Sequence, residues 1–387
     1  MLEIFEKRYN SLPKDLLQKV RRKGWDAFIR LGIPKPLESV RTFAAKQEPV
    51  SLPDFLCPYC IVFVNGYFRP ELSKLPADPK ISILDLKDGM ASYSAYLSGH
   101  FSEAIKTETS PFASLNLALH EEGTLIYLSP GSKLSLQILH LVDQKNTIAT
   151  PRVHFFAGKG AEADLIETFV EKTDEALLNA AAEYVLDAGA KVHVSSNKTA
   201  VASGSSHIST LRAYLKRDCV FAYASATCGS RYSKEDLKVF LNGENSFASL
   251  FGAWSLREKN ESHYLVHIHH SAPHCSSRQL FKGLLQDSSR SSFEGKIYVE
   301  KQAQKTDAFQ LNNNLLIGQT AHADTRPNLE IFADDVKASH GATVGQLDPE
   351  VLFYLKTRGI SQEAASALLI KGYFQEVVEE VRCPVAL

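Results

Sequence analysis

The sequence predicts a mainly β protein with helical ends, and three observations carry that prediction. From about Phe112 onward, short runs rich in Val, Ile, Leu, Tyr and Phe follow one another, many alternating with period two. Gly, Ser, Asn or Asp separates these runs, and no long helical pattern intervenes, which disfavours strand–helix–strand winding. Helical spacing is confined to the two ends of the chain. Short strands in such number, with tight corners, fit a sandwich or a solenoid. No sharp repeat length is visible, so the residues alone leave both open.

Taken in order, residues 1–110 read as a mainly helical subdomain. Leu16, Val20, Ala27 and Leu31 recur at helical spacing, and Leu17 and Phe28 widen the stripe. Ser11 with Pro13 marks a start, and Gly32 followed by Pro34 a stop. The run IVFVNGYF, residues 61–68, alternates around Asn-Gly and predicts a small hairpin. Residues 111–347 form the β core, from LIYL at 125–128 and LSLQILHL at 134–141 through HYLVHIHH at 263–270. Residues 348–387 form a helical C-terminal subdomain. Asp348 is an N-cap with Pro349 at the first helical position, and Gly359 ends that helix. A second helix runs from about Ser361 to Val381, with Ala367, Ile370, Phe374, Val377 and Val381 on one stripe. A solenoid end left open invites edge pairing, and the two helical ends are its expected covers.

The bulk numbers describe a soluble chain with a real core. It has 387 residues, 44% hydrophobic and 22% charged, with a net charge of −1. That balance points to neither a nucleic acid nor an anionic membrane as partner, and the patch at Lys19–Lys23 reads as a solvated helix face. No apolar segment approaches the roughly 20 residues needed to span a bilayer. The opening MLEIFEKRYN lacks the apolar core of an export signal, and six cysteines in a chain this long fit reduced thiols, so the expected location is the cytoplasm.

Four clusters invite a chemical reading. His263, His267, His269, His270, His274 and Cys275 crowd one segment; on a strand the first three share a face and His270 takes the other. Transition-metal binding and hydrogen bonding between coils both account for them. Cys57 and Cys60 form a C-x-x-C pair, but a Pro-rich loop precedes it and a strand follows, unlike a redox-active pair, and no second pair lies near for zinc. Cys219, Cys228 and Cys383 read as small apolar side chains. Asp324, Asp334, Asp335 and Asp348 raise the acid–base chemistry of a β-helix enzyme acting on acidic polysaccharides, although adjacent residues on a strand face opposite ways. Phosphate-binding glycine loops are absent: Gly295-Lys296 is followed by Ile297, with Arg290 where the leading glycine belongs.

The stretch KASHGATVGQLDPEVLFYLKTRGI, residues 337–360, resembles the closing signature of the SufD family, a scaffold-type subunit of the SUF iron–sulfur cluster assembly machinery. The resemblance continues upstream through AQKTDAFQLNNNLLIGQTAHADTRPNLEIFADDV, from Ala303, and thins towards the N-terminus. Trp25 and the Leu31–Pro34 ending match the family, whereas ESVRTFAAKQ, residues 38–47, replaces its aromatic segment. SHGATVGQLD stands where SufB-type chains carry a Glu-His-Glu-Ala-Thr-type string.

The resemblance implies a right-handed parallel β-helix and a non-catalytic subunit that pairs with the paralogue SufB, or with its own copy when isolated. It implies that the ATPase SufC docks around Leu352, Phe353, Tyr354 and Arg358. His340 is implied as a ligand for iron or a transient iron–sulfur cluster at the SufB junction, with nothing tightly bound in isolation. Many relatives place a cysteine two residues before that histidine. Here the position is Ala338, so further ligands must come from SufB.

Overall fold

The computed structural model describes residues 2–39, 42–49, 51–93 and 108–383. Its core is a parallel β-solenoid of about eight turns, which decides the open choice between sandwich and solenoid. One sheet runs through Ile81–Asp85, Thr124–Leu128, Arg152–Ala157, Leu177–Leu186, Ser206–Leu215, Tyr232–Leu241, Glu261–His270, Arg290–Val299 and His322–Ile331. The other runs through Tyr67–Phe68, Cys60–Val64, Lys133–Val142, Glu162–Glu171, Lys191–Ala200, Val220–Thr227, Phe247–Leu256, Ser276–Leu285, Asp307–Leu316 and Lys337–Gly345. The chain passes between the sheets at each corner, so within the solenoid each strand pairs with the one a full coil later, up to the last coil.

The corners explain why short strands stack instead of folding into hairpins. Gly131, Gly160, Gly189, Asp218, Asn245, His274 and Lys305 occupy one column, all in the left-handed region with φ from 59° to 73°. Each donates its backbone N–H to a carbonyl one coil on: Gly160 to Ala188, Asp218 to Glu244, His274 to Gln304. Glycine fills this position in the early coils at no steric cost, and Asp and Asn tolerate it later. The next residue is small and buried in every coil, including Ala161, Ala190, Cys219, Ser246 and Cys275. Cys219 and Cys275 are therefore corner fillers, and burial raises both thiol pKa values, that of Cys219 to about 11.

Inward positions alternate along each strand, and Leu165, Val194, Phe221, Leu250, Val239, Val266 and Phe293 pack into one core cluster. Buried charge interrupts this core midway. Lys198 Nζ lies 3.0 Å from Glu235 Oε1, with both side chains almost fully enclosed.

The helical N-terminal third is shorter on helix than its pattern predicts. Helix α1 spans Leu2–Ser11 and α2 spans Gln18–Leu31. Ser11 ends α1 instead of starting α2; α2 has Leu17 at its N-cap, and Asp15 accepts from the N–H of Leu17 at 3.0 Å in the turn before it. Leu16 is exposed and Leu17 takes the buried place. Most of 42–85 is strand and loop, including the predicted hairpin, with Asn65 and Gly66 at positive φ. Val40, Arg41 and residues 94–107 lie outside the described residues. Helix α3 spans Leu86–Ser92. Residues Pro111–Leu119, expected to open the β core, form helix α4, buried from Phe112 to Leu119, and α2 packs on it through Gly24. A Cβ on Gly24 would stand 2.9 Å from the Ser114 carbonyl oxygen, so no larger residue fits this crossing.

These helices do not cover the solenoid's first edge. They lie on a sheet face, where Phe5, Phe28, Phe112 and Leu115 meet Ile148, Leu177 and Ile208. The sheets end there in two antiparallel pairings, Ile81–Asp85 on Thr124–Leu128 and Tyr67–Phe68 on Cys60–Val64.

Candidate functional site

The opposite end of the solenoid is left open. His322–Ile331 and Lys337–Gly345 are the terminal strands of their sheets, each paired on one side only. Proline at 327 suits an edge strand, where a missing backbone N–H is tolerated. Phe332 at 56% and Val344 at 45% exposure, with Ile331, Phe309 and Ile317, put apolar surface around the rim. A rim of that kind beside unpaired backbone edges favours addition of another chain.

His340 stands on the last strand. Its register partner is Gln310, a buried inward residue, so His340 belongs to the inward column and is exposed because no further coil lies over it. Among the described residues the imidazole has neither a hydrogen bond nor an ion pair. Ala338, Ala342 and Val344 share its column parity, and the facing strand contributes Ala323, Thr325, Pro327 and Leu329. His340 is thus the one nitrogen or sulfur donor that the two terminal strands present towards the open lumen. A complete coordination shell needs donors from a second molecule.

Three residues link this strand to the C-terminal helices. Helix α5, Pro349–Thr357, begins where Asp348 accepts hydrogen bonds from the N–H groups of Glu350 and Val351, and Gly359 follows with φ of 83°. None of its residues is buried. Phe353 is 68% and Tyr354 55% exposed, Leu352 is half-buried, and Arg358 lies over the Tyr354 ring at 5.1 Å. The four residues expected to dock a partner therefore sit on one exposed helix and its C-cap, and Phe353 does not pack into a core.

Helix α6, Gln362–Glu380, is the anchored one. Phe374 and Val377 pack on Ala253, Leu280 and Leu284, while Tyr373 donates to the Asn313 carbonyl at 2.6 Å. Of the expected stripe, Phe374, Val377 and Val381 are buried, Ile370 is partly so, and Ala367 faces solvent. This helix lies on a sheet face, so the expected C-terminal cover over the coil end is absent among the described residues.

The other clusters are absorbed by the fold. In Glu261–His270, His263, His267 and His269 face outward and His270 inward, as the alternation predicts. Three have partners on the neighbouring coil or the facing sheet: Ser292 Oγ at 2.7 Å for His263, Glu300 Oε1 at 2.7 Å for His269 and Ser277 Oγ at 3.0 Å for His270, while the His267 ring stacks beside that of His269 at 5.9 Å. His274 is a corner residue. Among the described residues no three of His, Cys, Asp and Glu could hold a metal ion together. Burial raises the Cys60 thiol to about 12, which suppresses the thiolate. Asp334 and Asp335 sit in a bend between strands, Asp335 pairing with Lys305. Asp324 lies 3.4 Å from His322, and Asp348 caps α5, so these carboxylates do not converge. No described helix is long and apolar enough to cross a membrane.

A family model for the SUF system FeS cluster assembly SufBD core domain matches residues 140–373. The iron–sulfur cluster assembly protein SufD of Escherichia coli is 34% identical over 83% of this chain and 75% of its own. An iron–sulfur cluster assembly SufBD family protein of Synechocystis is 26% identical over 93% of this chain and 83% of its own. A SufBD family protein of Pyrococcus horikoshii is 24% identical over 98% and 93%.

Proposed function

The chain belongs to the SufBD family of the SUF iron–sulfur cluster assembly system, and from that premise we propose that it is a SufD-type scaffold subunit. It pairs through its open coil end with a SufB-like paralogue and recruits a SufC-like ATPase through helix α5. It supplies position and one donor, and its partner supplies ATP hydrolysis.

The observation that carries this reading is the pair of uncovered strand edges with a single unpartnered imidazole between them. A paralogue's terminal strands would extend both sheets across the junction and bring the missing donors to His340. Iron or a nascent cluster is then cargo held between two chains. The short Gln346–Asp348 connection supports a mechanical role for the ATPase. Movement of α5 is passed along the backbone to the strand that carries His340.

The test is co-expression with SufB-like and SufC-like partners, followed by purification and assay of iron and acid-labile sulfide. The three chains are expected to co-purify with cluster. His340→Ala is expected to retain the complex and lose cluster, while truncation beyond Asp348 is expected to release the ATPase. A His340→Ala complex that builds cluster at the native rate removes the ligand role. An ATPase that binds the truncated chain as before removes the docking role.

A further inference from the structure

The lumen changes character near its open end. In the column that ends on His340, successive coils contribute Leu250, Gln279 and Gln310. The two glutamines are 1% and 0% exposed. Neither the oxygen nor the nitrogen of either carboxamide finds a hydrogen-bond partner among the described residues. An amide buried in this state costs about 1–3 kcal/mol, so two in succession at one end of one column call for a cause.

Room for Gln310 is built into the facing sheet. A Cβ on Gly295 would stand 2.5 Å from both Nε2 and Oε1 of Gln310, so glycine at 295 is what admits the carboxamide. Above Gln310 in the same column comes His340. Adjacent strands lie about 4.8 Å apart, so the two side chains occupy successive steps of one file. A carboxamide both donates and accepts, and so serves either imidazole tautomer.

We propose that Gln310 is the positioning residue for His340. When a partner coil covers the open end, the imidazole is confined over the column and Gln310 is the unpaired polar group beneath it. A hydrogen bond from the carboxamide to one ring nitrogen then fixes the ring and its tautomer, leaving the other nitrogen for the ligand. Ligating histidines are commonly held from behind in this way. The arrangement rests on pairing with a paralogue; the ring's orientation does not depend on whether the ligand is iron.

The experiment uses the complex with the SufB-like chain, comparing the native protein, Gln310→Met and Gln310→Glu. Methionine keeps the volume and removes the unpaired amide, so co-purification and thermal midpoint are expected to hold; glutamate keeps an acceptor. Diethyl pyrocarbonate labelling of His340, followed by peptide mass spectrometry, reads ring restraint directly. A several-fold faster reaction in Gln310→Met, reversed in Gln310→Glu, is expected, and equal rates in all three overturn the proposal. Iron affinity by chelator competition separates the two claims, with about a 10- to 100-fold loss expected in Gln310→Met. If His340→Ala retains iron while the labelling difference persists, the ligand role fails and the positioning role stands. If His340→Ala loses iron and Gln310→Met changes neither readout, Gln310 only fills space.

Discussion

The hydroxyl of Tyr373, on helix α6, donates a 2.6 Å hydrogen bond to the backbone carbonyl of Asn313. The side chain of Asn313 in turn accepts from Thr343 Oγ1 at 2.8 Å, and Thr343 lies on the last strand, three residues from His340. The anchored helix and the edge strand thus share a residue on the coil between them. Tyr373→Phe deletes the donor and leaves the ring packed on Phe374. The expected cost is about 1 kcal/mol, with faster amide exchange in α6 and in Lys337–Gly345 and none in the early coils. Exchange that rises in α6 alone would show that the edge strand is not coupled to it.

Lys198 and Glu235 belong to different sheets and meet across the lumen. The ammonium also reaches Ser196 Oγ at 2.7 Å and Tyr223 OH at 3.3 Å, and Tyr223 donates to Glu235 at 3.1 Å. Lys198→Met removes one charge and strands the other in the core, with an expected loss of about 3–5 kcal/mol. Replacing both, Lys198→Met with Glu235→Leu, is expected to recover most of that loss, because neither member of the pair is then left buried without the other. Chemical denaturation of the single and double variants measures it, and a double variant no better than the single one contradicts the account.

Acid is expected to destabilise the fold through its buried histidines. His140 is stacked between Phe63 and Phe169, at centroid distances of 5.0 and 4.7 Å. Burial, then the nearby His207 and Lys198, holds its pKa down to about 3, and burial likewise holds His270 to about 3. The unfolded chain titrates these groups near 6.5, so above that pH both states are neutral and nothing is lost. As pH falls from about 6.5 towards 3, the unfolded state takes up protons that the folded state refuses. Stability therefore falls, by up to about 1.4 kcal/mol per pH unit for each group. His140→Phe is expected to flatten the dependence of the urea midpoint between pH 7 and pH 5. An unchanged slope would assign the acid sensitivity elsewhere.

Local chemistry was legible in the sequence wherever one residue type is sufficient for one conformation. Asp348 with Pro349, Gly359, and Asn65 with Gly66 each mark their turn, and alternation marks the strands. The coil repeat was not legible, because its length drifts. Leu177 pairs with Ser206, 29 residues on, Ser206 with Tyr232, 26 on, and Arg290 with His322, 32 on. The corner residue changes as well, from Gly189 to Asp218 to His274, since a stacked hydrogen bond helps hold what glycine alone would hold in an isolated turn. His274 consequently looked like part of a donor cluster. Helix α4 was hidden because it is buried all round and carries no amphipathic stripe. At the candidate site, His340 and the α5 aromatics were expected from a family resemblance. Gln310 was passed over inside AFQLNNNLL, where its polar character reads as exposure until the register places it inward.

Helix α5 presents Phe353 and Tyr354 to solvent without burying either, so its aromatic face contributes nothing to the isolated chain's core. Two consequences separate a docking surface from incidental exposure. Phe353→Ala with Tyr354→Ala is expected to leave unfolding within about 0.5 kcal/mol of the native chain, because neither ring is buried and only the exposed Arg358–Tyr354 contact is lost. The same pair is expected to weaken ATPase binding at least 30-fold if these rings are central anchors, since such residues carry about 2 kcal/mol or more each. Asp348→Ala serves as the contrasting variant: it removes the cap that starts α5, at about 1 kcal/mol, without touching the aromatic face. Titration calorimetry with the nucleotide-loaded ATPase should therefore rank the native chain first, Asp348→Ala close behind, and the double aromatic variant far below. Equal affinity in all three would move the docking surface off this helix, towards α6 and its exposed Leu368.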